Sequence, residues 1–214
     1  MRTRFDEQLG VLKAELGEMG RYCEAAISLS IKALTESDEA LRKNVFDVAE
    51  SITQKAREVE TVCTKLLLQQ QPVARDLRLI SAAMKMIYDM ERIGTLAGDI
   101  AEISQYVKYS LLENEIHLKE MTVEAIKMVS ESVNSFITSD LELAHQVISY
   151  DDVVDDLFVR IKGELVDIIA SRRENSECCI DLLMIAKYLE KIGDHAVNVA
   201  EWVHYSITGT HMDT

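Results

Sequence analysis

Residues 90–102 read MERIGTLAGDIAE and residues 189–201 read LEKIGDHAVNVAE. Laid over each other without a gap, they match at six of thirteen positions: Glu91/Glu190, Ile93/Ile192, Gly94/Gly193, Ala97/Ala196, Ala101/Ala200 and Glu102/Glu201. Met90/Leu189, Arg92/Lys191 and Ile100/Val199 are conservative pairs. A match of this density at one fixed offset reads as an internal duplication. Both copies carry apolar residues at helical spacing. The fold is therefore two related helical units, each too small to bury its apolar stripe alone.

Working outward, helix-period patterning runs almost the whole length of the 214 residues. One Pro (Pro72) and eight Gly are too few for the turns of an all-β or α/β fold of this size. Breaks fall at 35–40, with Ser37 and Asp38 as caps, at 69–76, where Pro72 suits a first helical turn, and at 109–116. Two more fall at 138–142, with Ser139 or Asp140 as N-cap, and at 171–179, with Asn175 or Ser176. These predict an all-α fold of six helices near 4–35, 38–69, 72–109, 114–138, 140–172 and 176–206. The units are 1–109 and 110–209, each a three-helix bundle, with 210–214 a disordered tail. Short connections make sequential helices antiparallel.

The net charge of −14 leaves no basic face for nucleic acid or an anionic membrane surface. It suits cations or a basic partner surface. The N-terminus lacks an apolar signal core and no run of about 18 apolar residues exists. The spacing of Cys23, Cys63, Cys178 and Cys179 matches neither a zinc pattern nor a disulfide framework. A reducing cytoplasm and four small buried hydrophobes are expected.

Chemistry concentrates on carboxylates. Glu190, Asp194, Asn198 and Glu201 recur every three or four residues of the last helix. YDDVVDDL, residues 150–157, carries Asp151, Asp152, Asp155 and Asp156 on the helix before it. Antiparallel pairing about the 174–175 turn sets Asp194 level with Asp155 and Asp156, and Asn198 level with Asp151 and Asp152. Facing like charges are destabilising, so either the groups splay into water as an ordinary acidic face or a hard cation offsets them: Mg²⁺, Mn²⁺, Ca²⁺ or iron rather than zinc. The first unit repeats the layout thinned, with Asp47, Glu50, Glu91 and Asp99. There Thr95 replaces Asp194, and Thr53 and Gln54 replace Asp155 and Asp156, so the second unit is expected to bind metal more tightly. A competing pattern is the pair of E-x-x-H motifs, Glu142–His145 and Glu201–His204. Their histidines come level, as in ferritin-like di-metal oxidases or metal stores. No Gly-flanked nucleophile or phosphate-cradling loop points to an enzyme.

QQPVARDLRLI (70–80), DMERIGTLAGDIAE (89–102), DDVVDDL (151–157) and MIAKYLEKIGDHAVNVAEWVHYSITG (184–209) resemble the PhoU family of phosphate-uptake regulators. The resemblance spans essentially the whole chain. It implies two tandem three-helix bundles in a non-enzymatic, often dimeric regulator. Such proteins act as adaptors between the ATPase subunit of the phosphate ABC transporter and the phosphate sensor histidine kinase. They restrain uptake and the phosphate-starvation response. The family's E/D-x-x-x-D motifs take metal ions (iron, zinc, manganese or magnesium). That motif falls intact on Glu190–Asp194, but on Glu91–Thr95 its second acid is missing.

Overall fold

A computed structural model of the chain describes residues 2–69, 73–109 and 116–212, with residues 2–4 and 69 described by backbone only. Six α-helices follow in order: α1 (Arg2–Glu36), α2 (Glu39–Gln69), α3 (Ala74–Ser104), α4 (Leu118–Thr138), α5 (Leu141–Ser171) and α6 (Ser176–Thr208). A single 3₁₀ turn, Arg173–Asn175, leads into α6. The duplication expected from the repeated segment is thus present as α1–α3 and α4–α6.

Local chemistry explains the boundaries. Asp38 caps α2, its Oδ1 accepting from the Ala40 and Leu41 amides at 2.7 and 3.2 Å. Asp140 caps α5 by accepting from Leu143 at 3.0 Å, while Ser139 adopts left-handed φ 56° at the end of α4. Of the two cap candidates at each break, the aspartate serves as N-cap, since its carboxylate also meets the positive helix end. Helix α6 starts at Ser176 after Asn175, which takes the N-cap position without a side-chain bond.

Four boundaries differ from the sequence reading. Helix α3 begins at Ala74, where Asp76 reaches back to the Val73 amide at 3.3 Å. It stops at Ser104, short of the predicted 109; Pro72 lies outside the described residues. Helix α4 begins at Leu118 rather than near 114, because Glu164 of α5 holds the His117 amide and ring at 3.1 and 2.5 Å. At the C-terminus Gly209 ends α6 with φ 83°, and the following residues fold back, His211 stacking on Tyr205 at 4.4 Å between ring centroids. The stretch predicted as a loose tail is therefore packed through Met212; Asp213 and Thr214 lie outside the described residues.

Helices α1, α3, α4 and α6 form a central four-helix layer, with α2 against α1 and α3 on one flank and α5 against α4 and α6 on the other. Leu12, Leu16 and Met19 of α1, Met86, Met90 and Ile93 of α3, Met121 and Met128 of α4, and Leu189 and Ile192 of α6 are all fully buried. Each such side chain contributes about 1.5–3 kcal/mol. The units meet along α3 and α6, which run antiparallel: Arg78 meets Gly209, Lys85 meets Trp202, and Asp89 meets Asn198. On this register the repeated glycines Gly94 and Gly193 stand level, near the pseudo-twofold axis.

Each repeated glycine brings its flanking helix close. A Cβ on Gly94 would lie 2.8 Å from Ile52 Cδ1 of α2, and one on Gly193 would lie 3.3 Å from Asp151 Oδ1 of α5. The flanks are also tied by charge. Lys55 of α2 donates to Glu15 and Glu18 of α1 at 2.8 Å each and to Glu58 at 2.9 Å. Substituting Gly94→Val should force Ile52 aside and lower stability by about 1–3 kcal/mol, the usual cost of overpacking. Urea unfolding followed by circular dichroism measures it, with the unfolding slope unchanged.

Candidate metal-binding face

The carboxylates gather where Gly193 lets α5 approach α6. Asp151, Asp155, Glu190 and Asp194 form one electrostatic cluster with Asp152 at its fringe. Burial pushes the Asp151 carboxyl up to about 6, and its neighbours Asp155, Asp194, Glu190 and Asp152 push the same way. Asp155 is raised too, by burial first and then by Glu190 and Asp194. Two oxygens in this cluster, Asp151 Oδ1 and Glu190 Oε2, are buried without a hydrogen-bond partner. A buried acceptor left unpaired costs about 1–3 kcal/mol.

Two lysines of α6 supply the positive charge. Lys187 Nζ lies 2.6 Å from Glu190 Oε1. Lys191 pairs with Asp194 and stands 3.4 Å from Glu190 Oε2. With those pairs formed, no three His, Cys, Asp or Glu side chains among the described residues close around one cation-sized point. The donor chemistry fits a hard cation: carboxylate oxygens only, two of them unsatisfied. Completing such a site requires the buried Glu190 and the partly exposed Asp194 to leave their lysines.

Register differs from the simple antiparallel estimate. Asp151, not Asp155, lies over Gly193, so it is the most perturbed acid of the row. Asp156 stays exposed. Asn198 does not face Asp151 and Asp152, which corrects the sequence reading. It stands eight residues beyond Glu190, where the helix has rotated about 80°, so its amide points across the seam to α3. There Asn198 Nδ2 donates to Asp89 Oδ1 at 3.1 Å, and His195 Nδ1–H donates to the same oxygen at 2.9 Å. Asp89 is 6% exposed. Sequence reasoning passed it over, although one signal existed: the duplication pairs it with Tyr188, so an acid had entered one copy of an otherwise apolar-aromatic stripe. A cavity of about 690 Å³ opens beside it, lined by Lys85, Tyr88, Asn198, Glu201, Trp202 and His211. Glu201 belongs there rather than with Asp194, and burial followed by Asp89 raises its carboxyl.

The first unit gathers less. Glu91 faces α2 as predicted, but its neighbours are Thr53 and the Arg57 guanidinium, and its carboxyl is raised chiefly by burial. Thr95 turns its hydroxyl to the Glu91 carbonyl at 3.0 Å. Asp47 and Glu50 are exposed and line a hollow of about 610 Å³ with Lys55, Arg57 and Glu58. Asp99 neighbours Glu102 and Arg92 instead of this hollow. The E-x-x-H histidines do meet: His145 Nε2 and His204 Nδ1 are 2.8 Å apart. Their glutamates separate, Glu201 into the seam cavity and Glu142 into a hollow beside Lys127 and Tyr150.

Two tandem bundles joined along a shared seam, with a repeated acid-bearing helix, have a counterpart among known proteins. The PhoU domain matches twice, over residues 16–104 and 118–203. The chain belongs to the PhoU family. Among its relatives are the phosphate-specific transport system accessory protein PhoU homolog of Clostridium acetobutylicum, 33% identical over 99% of this chain and 98% of that protein. The PhoU homolog 1 of Thermotoga maritima is 29% identical over 98% and 91%. The crystal structure of PhoU from Pseudomonas aeruginosa superposes with TM-score 0.85 at 30% identity, covering 96% of this chain and all of that one. The phosphate transport system regulatory protein PhoU from Streptococcus pneumoniae, at TM-score 0.89 and 23% identity, shares the fold. Among the described residues no helix is long and apolar enough to cross a membrane.

The raised Asp151 has a stability consequence. Its folded value lies above the ordinary carboxylate value of about 4, so ionisation weakens the fold. Stability should therefore rise as pH falls from 7 through 6 toward 4, until other carboxylates protonate. Asp151→Asn should remove that slope and stabilise the protein at pH 7 by about 1 kcal/mol, after discounting for solvent screening. Urea unfolding at pH 5 and pH 7 with chelator present reads both effects. A second variant, Asp89→Ala, strands the His195 and Asn198 donors at the seam and should cost about 2–3 kcal/mol in the same assay.

Proposed function

We propose that this chain is the accessory regulator of a phosphate-specific transport system. In this reading it restrains phosphate uptake and the phosphate-starvation response. It does so as an adaptor between the transporter's ATPase subunit and the phosphate sensor histidine kinase, and it works as a homodimer. The observation that carries the reading is the end-to-end likeness to phosphate-transport accessory proteins, with both repeats in place. An adaptor of this kind needs rigid docking faces rather than a reacting pocket, and a six-helix layer of long, tied helices supplies them.

The acidic face on α5 and α6 is the docking element of the proposal. Asp151, Asp155, Glu190 and Asp194 would hold an iron, manganese, magnesium or zinc ion through oxygen ligands. A bound ion would supply positive charge in place of Lys187 and Lys191 and cross-link the two helices. The Asp151 and Glu190 oxygens that are buried without a hydrogen bond support this assignment. The residual negative charge of the face, on a chain of net charge −14, would meet a basic patch on a partner.

Binding of the purified chain to the ATPase subunit, measured by biolayer interferometry with and without Mn²⁺, tests the docking role. Asp151→Asn with Asp155→Asn should weaken binding by about tenfold or more at unchanged helicity; unchanged affinity would reject the face as a docking site. The adaptor role is tested separately. In a bacterium lacking its own PhoU protein, the wild-type chain should restore repression of a phosphate-starvation reporter in high phosphate. A reporter that stays fully on would reject it.

A further inference from the structure

We propose that His145 of α5 and His204 of α6 form a two-imidazole site for a divalent cation of the zinc and nickel class, separate from the carboxylate face. Imidazole nitrogen selects zinc, nickel and copper over the hard ions that carboxylates take, so one pair of helices would carry two sites of different metal preference.

The geometry rests on rigid elements. Each residue sits about one turn inside the end of a long helix, His145 after Leu141 of α5 and His204 before Thr208 of α6, and their rings face each other with centroids 5.1 Å apart and planes 32° from parallel. His145 Nε2 and His204 Nδ1 approach to 2.8 Å. Two nitrogens bound to one tetrahedral zinc at about 2.0–2.1 Å stand roughly 3.3 Å apart. The pair thus opens by about half an ångström, which side-chain torsions alone supply. As found, one ring donates a proton to the other. An ion takes both lone pairs without changing the proton count: the shared proton leaves the donor ring's facing nitrogen, and that ring carries its proton on the other one, Nδ1 in His145 or Nε2 in His204.

Access and surroundings agree. His145 is exposed, so an ion enters from solvent. Glu142, one turn earlier on α5, is also exposed and shares a hollow of about 520 Å³ with His145, Gln146 and Ser149. It is placed to neutralise a bound cation directly or through water. Lys127, the cation lining that hollow, is held 3.9 Å over the Tyr150 ring. Asp151 stands six residues further along α5, about 9 Å away along the axis, so the two sites are distinct. The pair also has no counterpart in the first unit. Position 105, the repeat partner of His204, is Gln105.

Calorimetric titration of chelator-stripped full-length chain with Zn²⁺, in millimolar Mg²⁺ to occupy hard-ion sites, tests the assignment. Wild type should take up one tightly bound zinc that survives in the Asp151→Asn, Asp155→Asn variant. His145→Gln and His204→Gln should each weaken that uptake by about tenfold or more, since loss of even an outer partner of a zinc ligand costs about 10–100-fold. Nitrogen-15 spectra of the histidine rings give a readout that needs no variant: Zn²⁺ should shift His145 Nε2 and His204 Nδ1 while leaving His117 and His195 unmoved. No zinc uptake, uptake unchanged in both histidine variants, uptake abolished by the aspartate variant, or unshifted His145 and His204 nitrogens would each overturn the proposal.

Discussion

The antiparallel seam between α3 and α6 is the constraint on which the rest of the molecule depends. Each three-helix unit has an apolar stripe that its own helices cannot cover, and the seam joins the two stripes into one core. Buried polar groups set its register. Asp89 accepts from His195 and Asn198 at one point, and sliding the helices by a turn would strand its buried carboxylate. Such buried, satisfied groups contribute more to choosing one arrangement than to raw stability. With register chosen, Gly94 and Gly193 come level, and the flanking helices α2 and α5 are admitted at matching heights.

That symmetry explains why the two flanks can diverge in chemistry without disturbing the fold. Around Gly193 the approach of α5 stacks four acids, with only Lys187 and Lys191 to offset them. Around Gly94 the equivalent approach is apolar, Ile52 filling the contact, and Arg57 and Thr53 attend the one acid, Glu91. The first flank instead invests its charge in Lys55, which ties α2 to α1 through three glutamates. One flank is electrostatically closed. The other keeps two buried carboxylate oxygens, of Asp151 and Glu190, without a hydrogen bond, which favours a cation there.

Much of this was legible in the residues. The duplicated segment, the near absence of Pro and the helical period determined an all-α fold of two three-helix units. The caps were narrowed to two neighbouring candidates at each of two breaks, Ser37 and Asp38 and then Ser139 and Asp140, and the structure uses the aspartate of each pair. The acids Asp151, Asp155, Glu190 and Asp194 could be grouped, and His145 set opposite His204, because short loops force antiparallel neighbours. What the sequence by itself could not decide was direction around each helix and exact level between helices. A position on a helix advances 100° per residue, which sets Glu201 only about 20° round from Glu190, yet Asn198 bonds Asp89 of α3 and Glu201 lines the cavity beside it while Glu190 and Asp194 join Asp151 and Asp155 of α5. Only the tertiary structure makes that division, since it depends on where α3 lies. The same holds for Asp89, whose partners are more than a hundred residues away, and for Asp151, whose burial follows from a close approach that Gly193 permits but does not by itself require.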